Sequence, residues 1–220
     1  MDRPSPRALT PAAAGAVVGV VFDVGNVLLQ WNPRFLMRKL LPDDAAVEHF
    51  LREICPPTWN LEQDRGRPWA EGVRIQAARH PAYAGLIQTW NERWHETLPG
   101  PVAGMPELVA ELAGAGVPLH ILSNFSAEKF AETRQRYAPL FAHFDQIVIS
   151  GEVGFVKPET QIFTHLLART AERPHELAFV DDVADYAHAA TRLGIHGIGF
   201  RDEPTLRREL IGLGLPLRPR

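Results

Sequence analysis

Val17-Val-Gly-Val-Val-Phe-Asp-Val-Gly-Asn-Val-Leu-Leu29 is the stretch on which the fold turns. An almost wholly apolar run reaches a single carboxylate, Asp23, and is followed by the small pair Gly25-Asn26. Such a run predicts a strand buried on both faces that delivers its acid at the carboxyl edge. In open α/β sheets that edge is where ligands bind. An Asp there serves equally well as nucleophile, metal ligand, proton carrier or strand cap, so its companions must decide.

The segment from Trp31 to about Pro99 is helical in pattern. Asn32-Pro33 supplies a cap and a first-turn proline, after which Phe35, Leu36, Leu40 and Leu41 share a face, and Val47, Phe50, Leu51 and Ile54 repeat the spacing. Pro56-Pro57 is expected to close this run, Pro68 to start a helix toward His80, and Pro81 to open a third carrying Leu86, Ile87, Trp90 and Trp94. The tryptophans, at 31, 59, 69, 90 and 94, all fall in or beside this segment and suit the small core of a helical insert.

Beyond Pro99 strands and helices alternate. Met105 to Ala113 reads as a helix closed by Gly114 and Gly116, and Pro118 to Leu122 as a strand running into Ser123-Asn124. A helix follows from about Ser126, then a strand over Gln146 to Ile149, then Lys157-Pro158 with the proline in the first turn of another helix. Leu177 to Val180 is a strand ending in Asp181-Asp182; a helix striped by Tyr186, Ala189, Ala190 and Leu193 stops at Gly194, and Ile195 to Phe200 is a fifth strand. The alternation predicts an α/β fold: a doubly wound parallel sheet forming a Rossmann-like core, with an all-helical cap inserted. The expected division is a flexible leader over 1–15, a core over 16–31 and 100–220, and a cap over 32–99.

A formal net charge of −3 gives no reason to expect nucleic acid or an anionic membrane as partner. Cys55 stands alone in the 220 residues, so no internal disulfide is possible, which fits a reducing cytoplasm. Arg3 and Arg7 ahead of an apolar run imitate a secretion signal, but no small-residue cleavage site precedes Asp23 and the run is too short to cross a bilayer.

Four stations along the chain bring polar groups to one sheet edge: Asp23, Ser123-Asn124, Lys157 and Asp181-Asp182. Adjacent acids beside another carboxylate repel unless a cation sits among them, which makes Asp181 and Asp182 the best argument for a metal. Lys157 adds a second positive charge. The helix beginning near Ser126 would present an uncompensated positive end to an anion beside Ser123.

With these residues in view, the sequence resembles the haloacid dehalogenase superfamily along nearly its whole length outside the leader. Phe22-Asp23-Val-Gly-Asn-Val27, Leu122-Ser123-Asn124, Lys157-Pro158-Glu159 and Val180-Asp181-Asp182 are similar to its four motifs, and the first is especially like that of bacterial glucose-1-phosphate phosphatases. The resemblance implies a Mg²⁺-dependent phosphatase acting on a small, sugar-phosphate-like metabolite through an aspartyl-phosphate on Asp23. Asp23, the main-chain oxygen of Gly25 and Asp182 would hold the ion, with Asp181 reaching it through water. Ser123, Asn124 and Lys157 would bind phosphate, and Glu62, Asp64 and Arg65, in the loop Trp59 to Gly66, would meet the substrate from the cap. Asp185 either supports the site through water or faces solvent.

Two departures stand out. Most phosphatases of this superfamily carry an Asp two positions after the nucleophile, which protonates the leaving alcohol; here that position is Gly25, so another proton source is needed. Where Asn commonly follows the paired acids, this chain has Val183 and Tyr186. Two other readings stay open: a metal-independent 2-haloacid dehalogenase, and a non-catalytic protein that binds a phosphorylated ligand or a protein partner. A monomer and a homodimer fit the sequence equally.

Overall fold

The computed structural model describes residues 16–219, so the expected leader lies outside the described residues. Five parallel strands form one sheet: β1 (Gly19–Phe22), β2 (Leu119–Ser123), β3 (Gln146–Ile149), β4 (Leu177–Asp181) and β5 (His196–Gly199), in the order β3-β2-β1-β4-β5. β1 is central, with Val20 opposite Leu119 on one side and Ala178 on the other. From β1 the chain steps outward to β2 and β3, then crosses back to β4 and β5. The connections leaving β1 and β4 therefore diverge, which opens a crevice at their carboxyl ends.

Every residue of β1, β2 and β4 is buried, because helices cover both faces of the sheet. Val20 and Phe22 pack with α6 (Met105–Gly114) and α12 (Glu203–Gly212), whereas Val21 and Phe179 point the other way, into α10 (Thr160–Leu167) and α11 (Ala184–Arg192). Gly197 lets α11 press against β5, since a Cβ there would stand 2.1 Å from the Ala187 carbonyl oxygen. Three further helices complete the sheet-side elements: α7 (Ala127–Arg136), α8 (Ala138–Phe141) and α9 (Ser150–Val153).

Apart from isolated bridges pairing Leu29 with Gly25 and Pro101, the regular structure between β1 and α6 is helical: α1 (Arg34–Met37), α2 (Asp44–His49) with a π turn over Phe50–Ile54, α3 (Pro57–Asp64), α4 (Trp69–Arg79), and α5 (Ala84–Glu92) between short 3₁₀ turns. Trp59, Trp69 and Trp90 meet with ring centroids 5.5–6.3 Å apart and form its centre. Cys55 is buried there and burial pushes its thiol up to about 12, so it is chemically inert. No helix of the described residues is long and apolar enough to cross a membrane.

Three expectations need correction. Pro56-Pro57 closes the run that ends at Ile54, as expected, but Pro57 also takes the first position of α3, where the missing N–H costs nothing, so most of the supposed loop Trp59 to Gly66 is helix. Pro158 does not open a helix. α10 begins at Thr160 with Glu159 at its N-cap, and the Lys157–Pro158 peptide is cis. Pro81 opens only a 3₁₀ turn; α5 starts at Ala84, and Trp94 lies past its end.

Candidate active site

The sheet places the charged groups. Asp23 follows the last residue of β1, Asp181 ends β4 with Asp182 next, and Lys157 arrives on the loop ahead of α10. One carboxylate oxygen from each of Asp23, Asp181 and Asp182 lies within 4.8 Å of the other two. Lys157, 1% exposed, sets its Nζ 2.6 Å from Asp181 Oδ2 and 2.9 Å from Asp23 Oδ1. The second contact is an ion pair lacking the angle of a hydrogen bond, which leaves Asp23 Oδ1 without a donor. The rings of Phe179 and Tyr186 lie 5.4 and 5.2 Å from the same ammonium.

Three carboxylates against one ammonium leave a formal excess of two negative charges. Burial, reinforced by the Asp23 charge, pushes Asp181 up to about 7 and raises Asp182. Burial pulls the Lys157 ammonium down, but the two carboxylates outweigh it and hold its pKa above the ordinary value. A hard divalent cation takes oxygen ligands and would cancel that excess, so the cluster, with its undonated Asp23 oxygen, fits Mg²⁺. Asp181 is the most committed member, since its other oxygen accepts the Val183 N–H at 2.8 Å.

A cavity of about 430 Å³ opens over the cluster, between the strand ends and the helical insert. Its wall includes Asp23, Gly25, Lys157 and Asp182 from the core side and Asp64 from the end of α3. Asp64 Oδ2 accepts from Asn60 Nδ2 at 2.8 Å, and its main-chain carbonyl accepts from the Ser150 hydroxyl. Burial, with a contribution from the Asp23 charge, lifts its carboxyl to about 7 despite the Ser126 amide and Asn60 side chain that oppose this.

The remaining expected residues are placed differently. Asn124 is on the wall, but its side chain grips the Lys157 backbone, donating to the carbonyl at 3.0 Å and accepting the N–H at 2.7 Å. Ser123 is buried and outside the cavity lining. Arg65 forms an ion pair with Glu159 at 2.7 Å instead of facing the cavity, and Glu62 is exposed. Asp185 is exposed in the first turn of α11, where an acid suits the helix dipole.

Two residues were not expected. Asn26, in the left-handed region at φ 54, donates to Asp182 Oδ2 at 3.2 Å and accepts the Trp31 N–H at 3.0 Å. Its signal was present, because Asn after Gly is the side chain that best tolerates that conformation while bonding locally. Tyr186, read as a departure on a helix face, instead packs its ring beside the Lys157 ammonium and sets its hydroxyl 3.5 Å from Asn124 Nδ2. No linear motif would have shown this.

Residues 62–200 match the family model described as haloacid dehalogenase-like hydrolase. The sesquiterpene phosphatase astK of Aspergillus oryzae is 27% identical over 86% of this chain and 93% of its own. A family enzyme from Bacteroides thetaiotaomicron, solved with magnesium and inorganic phosphate, superposes with a TM-score of 0.64 at 19% identity, covering 84% of this chain and 95% of that one. The L-2-haloacid dehalogenase of Xanthobacter autotrophicus, with chloropropionic acid covalently bound, gives 0.60 at 18% identity over 91% and 85%.

Proposed function

The chain belongs to the haloacid dehalogenase-like hydrolases, and from that premise we propose that it is a Mg²⁺-dependent phosphatase of small phosphorylated metabolites. The observation that carries this reading is the cluster of Asp23, Asp181 and Asp182 around Lys157, with its excess of two negative charges. A dehalogenase working without metal has no need of that excess.

Asp23 is the nucleophile. Its carboxylate oxygen attacks phosphorus, the bond from phosphorus to the alcohol oxygen breaks, and an aspartyl-phosphate forms. Water then attacks that phosphorus while giving a proton to the ionised Asp64, the bond from phosphorus to the Asp23 oxygen breaks, and inorganic phosphate, the Asp23 carboxylate and the Asp64 acid are regenerated. Lys157 neutralises both the nucleophile and the incoming phosphate; a unit-charge pair at about 4 Å and an effective dielectric near 20 is worth on the order of 4 kcal/mol. Mg²⁺, held by Asp23, Asp182 and the Gly25 carbonyl with Asp181 behind them, would supply the remaining positive charge and polarise a phosphoryl oxygen. Asn124 acts by fixing the Lys157 backbone, and Asn26 by aiming Asp182.

The leaving alcohol takes its proton from Asp64. Gly25 has no side chain to provide one, whereas Asp64 lies on the same cavity wall with a carboxyl lifted to about 7, a suitable value for a general acid near neutral pH. The insert thus works as a cap that contributes to chemistry, and the solitary buried Cys55 is compatible with a cytoplasmic setting.

Hydrolysis of p-nitrophenyl phosphate with and without Mg²⁺, beside halide release from 2-chloropropionate without metal, tests the proposal. Metal-dependent phosphate release, lost by several orders of magnitude in Asp23→Asn, is expected. Halide release alone would mean the dehalogenase reading holds, and silence in both would mean a binding protein.

A further inference from the structure

The cavity wall above the carboxylate cluster is mainly hydrocarbon. Trp31, Pro57, Leu61, Trp94, Phe125 and Val183 face it, and Val183 is 40% exposed, a large apolar side chain left open on the surface. The indole of Trp94 and the ring of Phe125 stand 5.3 Å apart, centroid to centroid. Most amides on the wall are already engaged: Asn26 with Asp182 and the Trp31 backbone, Asn124 with Lys157. Two shielded polar atoms, the Trp31 indole N–H and Asn60 Oδ1, lack partners.

That inventory suits few alcohols. A sugar would bring several hydroxyls to a wall whose open side-chain hydroxyls are those of Thr58 and Tyr186, and each hydroxyl left unmatched loses its water hydrogen bonds without replacement. A second anionic group fares worse. Lys157 is the only cation among the described wall residues, it already serves Asp23, Asp181 and the phosphate being cleaved, and Arg65 is held outside by Glu159. A distal carboxylate or phosphate would therefore meet Asp64 and Asp182 uncompensated.

Resting on the phosphatase reading, we infer that the substrate is the monophosphate of an uncharged, largely hydrocarbon alcohol, with the chain lying along the Leu61, Trp94 and Phe125 wall and room for one polar group near the exposed Thr58 hydroxyl. A sugar-phosphate-like metabolite, the expectation from sequence, does not match that wall.

Ethyl, butyl, hexyl and octyl phosphates, with glucose 1-phosphate and glycerol phosphate alongside, test this in the presence of Mg²⁺. The expected result is a rise in kcat/KM of up to about fourfold per methylene until the cavity is filled, with both polyol phosphates below butyl phosphate. Leu61→Asn should flatten the series. Inhibition of the wild-type protein by the matching alkylphosphonates gives the same information without a variant, with Ki falling along the chain. Turnover that is flat with chain length, or best with glucose 1-phosphate, overturns the inference while leaving the phosphatase reading intact. Turnover of no phosphate overturns both.

Discussion

Replacing Lys157 with methionine keeps an unbranched apolar stem, one atom shorter, and deletes the charge. In the native protein the ammonium is within 3 Å of Asp23 and Asp181, at 2.9 and 2.6 Å, and 1% exposed. Each contact is worth about 6 kcal/mol at an effective dielectric near 20, set against a desolvation penalty of several kcal/mol for the ammonium itself. Removing one partner of such a buried group typically costs about 3–5 kcal/mol, because the charges left behind have no compensation. Here the carboxylates can relieve themselves by taking up a proton, and Asp181, already lifted to about 7, does so easily below neutrality. The loss should therefore be about 2 kcal/mol near pH 5 and about 4 kcal/mol near pH 8.

The variant also raises the formal excess from two negative charges to three, so Mg²⁺ should bind it more tightly than it binds the native protein. A ligand at about a hundred times its Kd adds about 2.7 kcal/mol, enough to return much of the stability at the higher pH. Urea unfolding at both pH values, with and without Mg²⁺, measures all four quantities. A loss below about 1 kcal/mol near pH 8, with a Mg²⁺ response no larger than in the native protein, would refute the idea that this ammonium holds the carboxylates together.

Asp64→Asn should slow hydrolysis of alkyl phosphates about a hundredfold or more and p-nitrophenyl phosphate far less, since nitrophenolate leaves without a proton; equal losses on both esters would remove Asp64 from proton transfer. Gly25→Asp added to that variant should restore part of the alkyl phosphate rate, because a Cβ at position 25 meets no atom within 4 Å. Asn26→Gly accepts the left-handed backbone but deletes the bond to Asp182, and Mg²⁺ affinity measured by calorimetry should fall about 10-fold or more. Without metal, Asp181 and Asp64 at about 7 let the folded protein bind more protons than the unfolded chain between about pH 4 and pH 7. Stability should thus fall as pH rises through that window and level off above it; a urea midpoint at about pH 8 equal to or above that at about pH 5 contradicts this. The acids held low by arginine and lysine partners, Glu96 and Glu176 at about 2, act below the window.

The sheet was legible because its signal is local: apolar runs such as Val17 to Phe22 and Leu177 to Val180 are buried on both faces, and no other element tolerates that so briefly. The four polar stations followed from topology alone, since parallel strands deliver their carboxyl ends to one edge. Helix boundaries at prolines were less legible. Pro57, Pro81 and Pro158 have the same local restriction, yet one starts an α-helix, one a 3₁₀ turn and one precedes a helix by two residues, a choice made by packing against the insert and the sheet. Asn124 was expected at phosphate because of its neighbours, while its actual partner, the Lys157 backbone, lies 33 residues away. The bond is invisible to any pattern read along the chain. Asp64 was one of three charged side chains in one short segment, and only the direction of α3 separates it from Glu62 and Arg65.

The division between core and insert carries a kinetic consequence. Under the phosphatase proposal Asp23, Asp181 and Asp182 at strand ends and Lys157 on the loop ahead of α10 meet only what every phosphate ester shares, so changes there should scale all substrates by a common factor. Leu61 and Asp64 come from α3 and line the cavity where the alcohol of the proposed substrate would sit, so changes there should reorder substrates. The two halves are joined beside the site by the Arg65–Glu159 pair, about a third exposed on both side chains and hence worth at most about 1 kcal/mol, and by the Ser150 hydroxyl on the Asp64 carbonyl. The second bond fixes the end of α3 that carries the proposed proton donor, so Ser150→Ala should disturb alkyl phosphate turnover more than loss of the ion pair does, and equal rates in the two variants would contradict this.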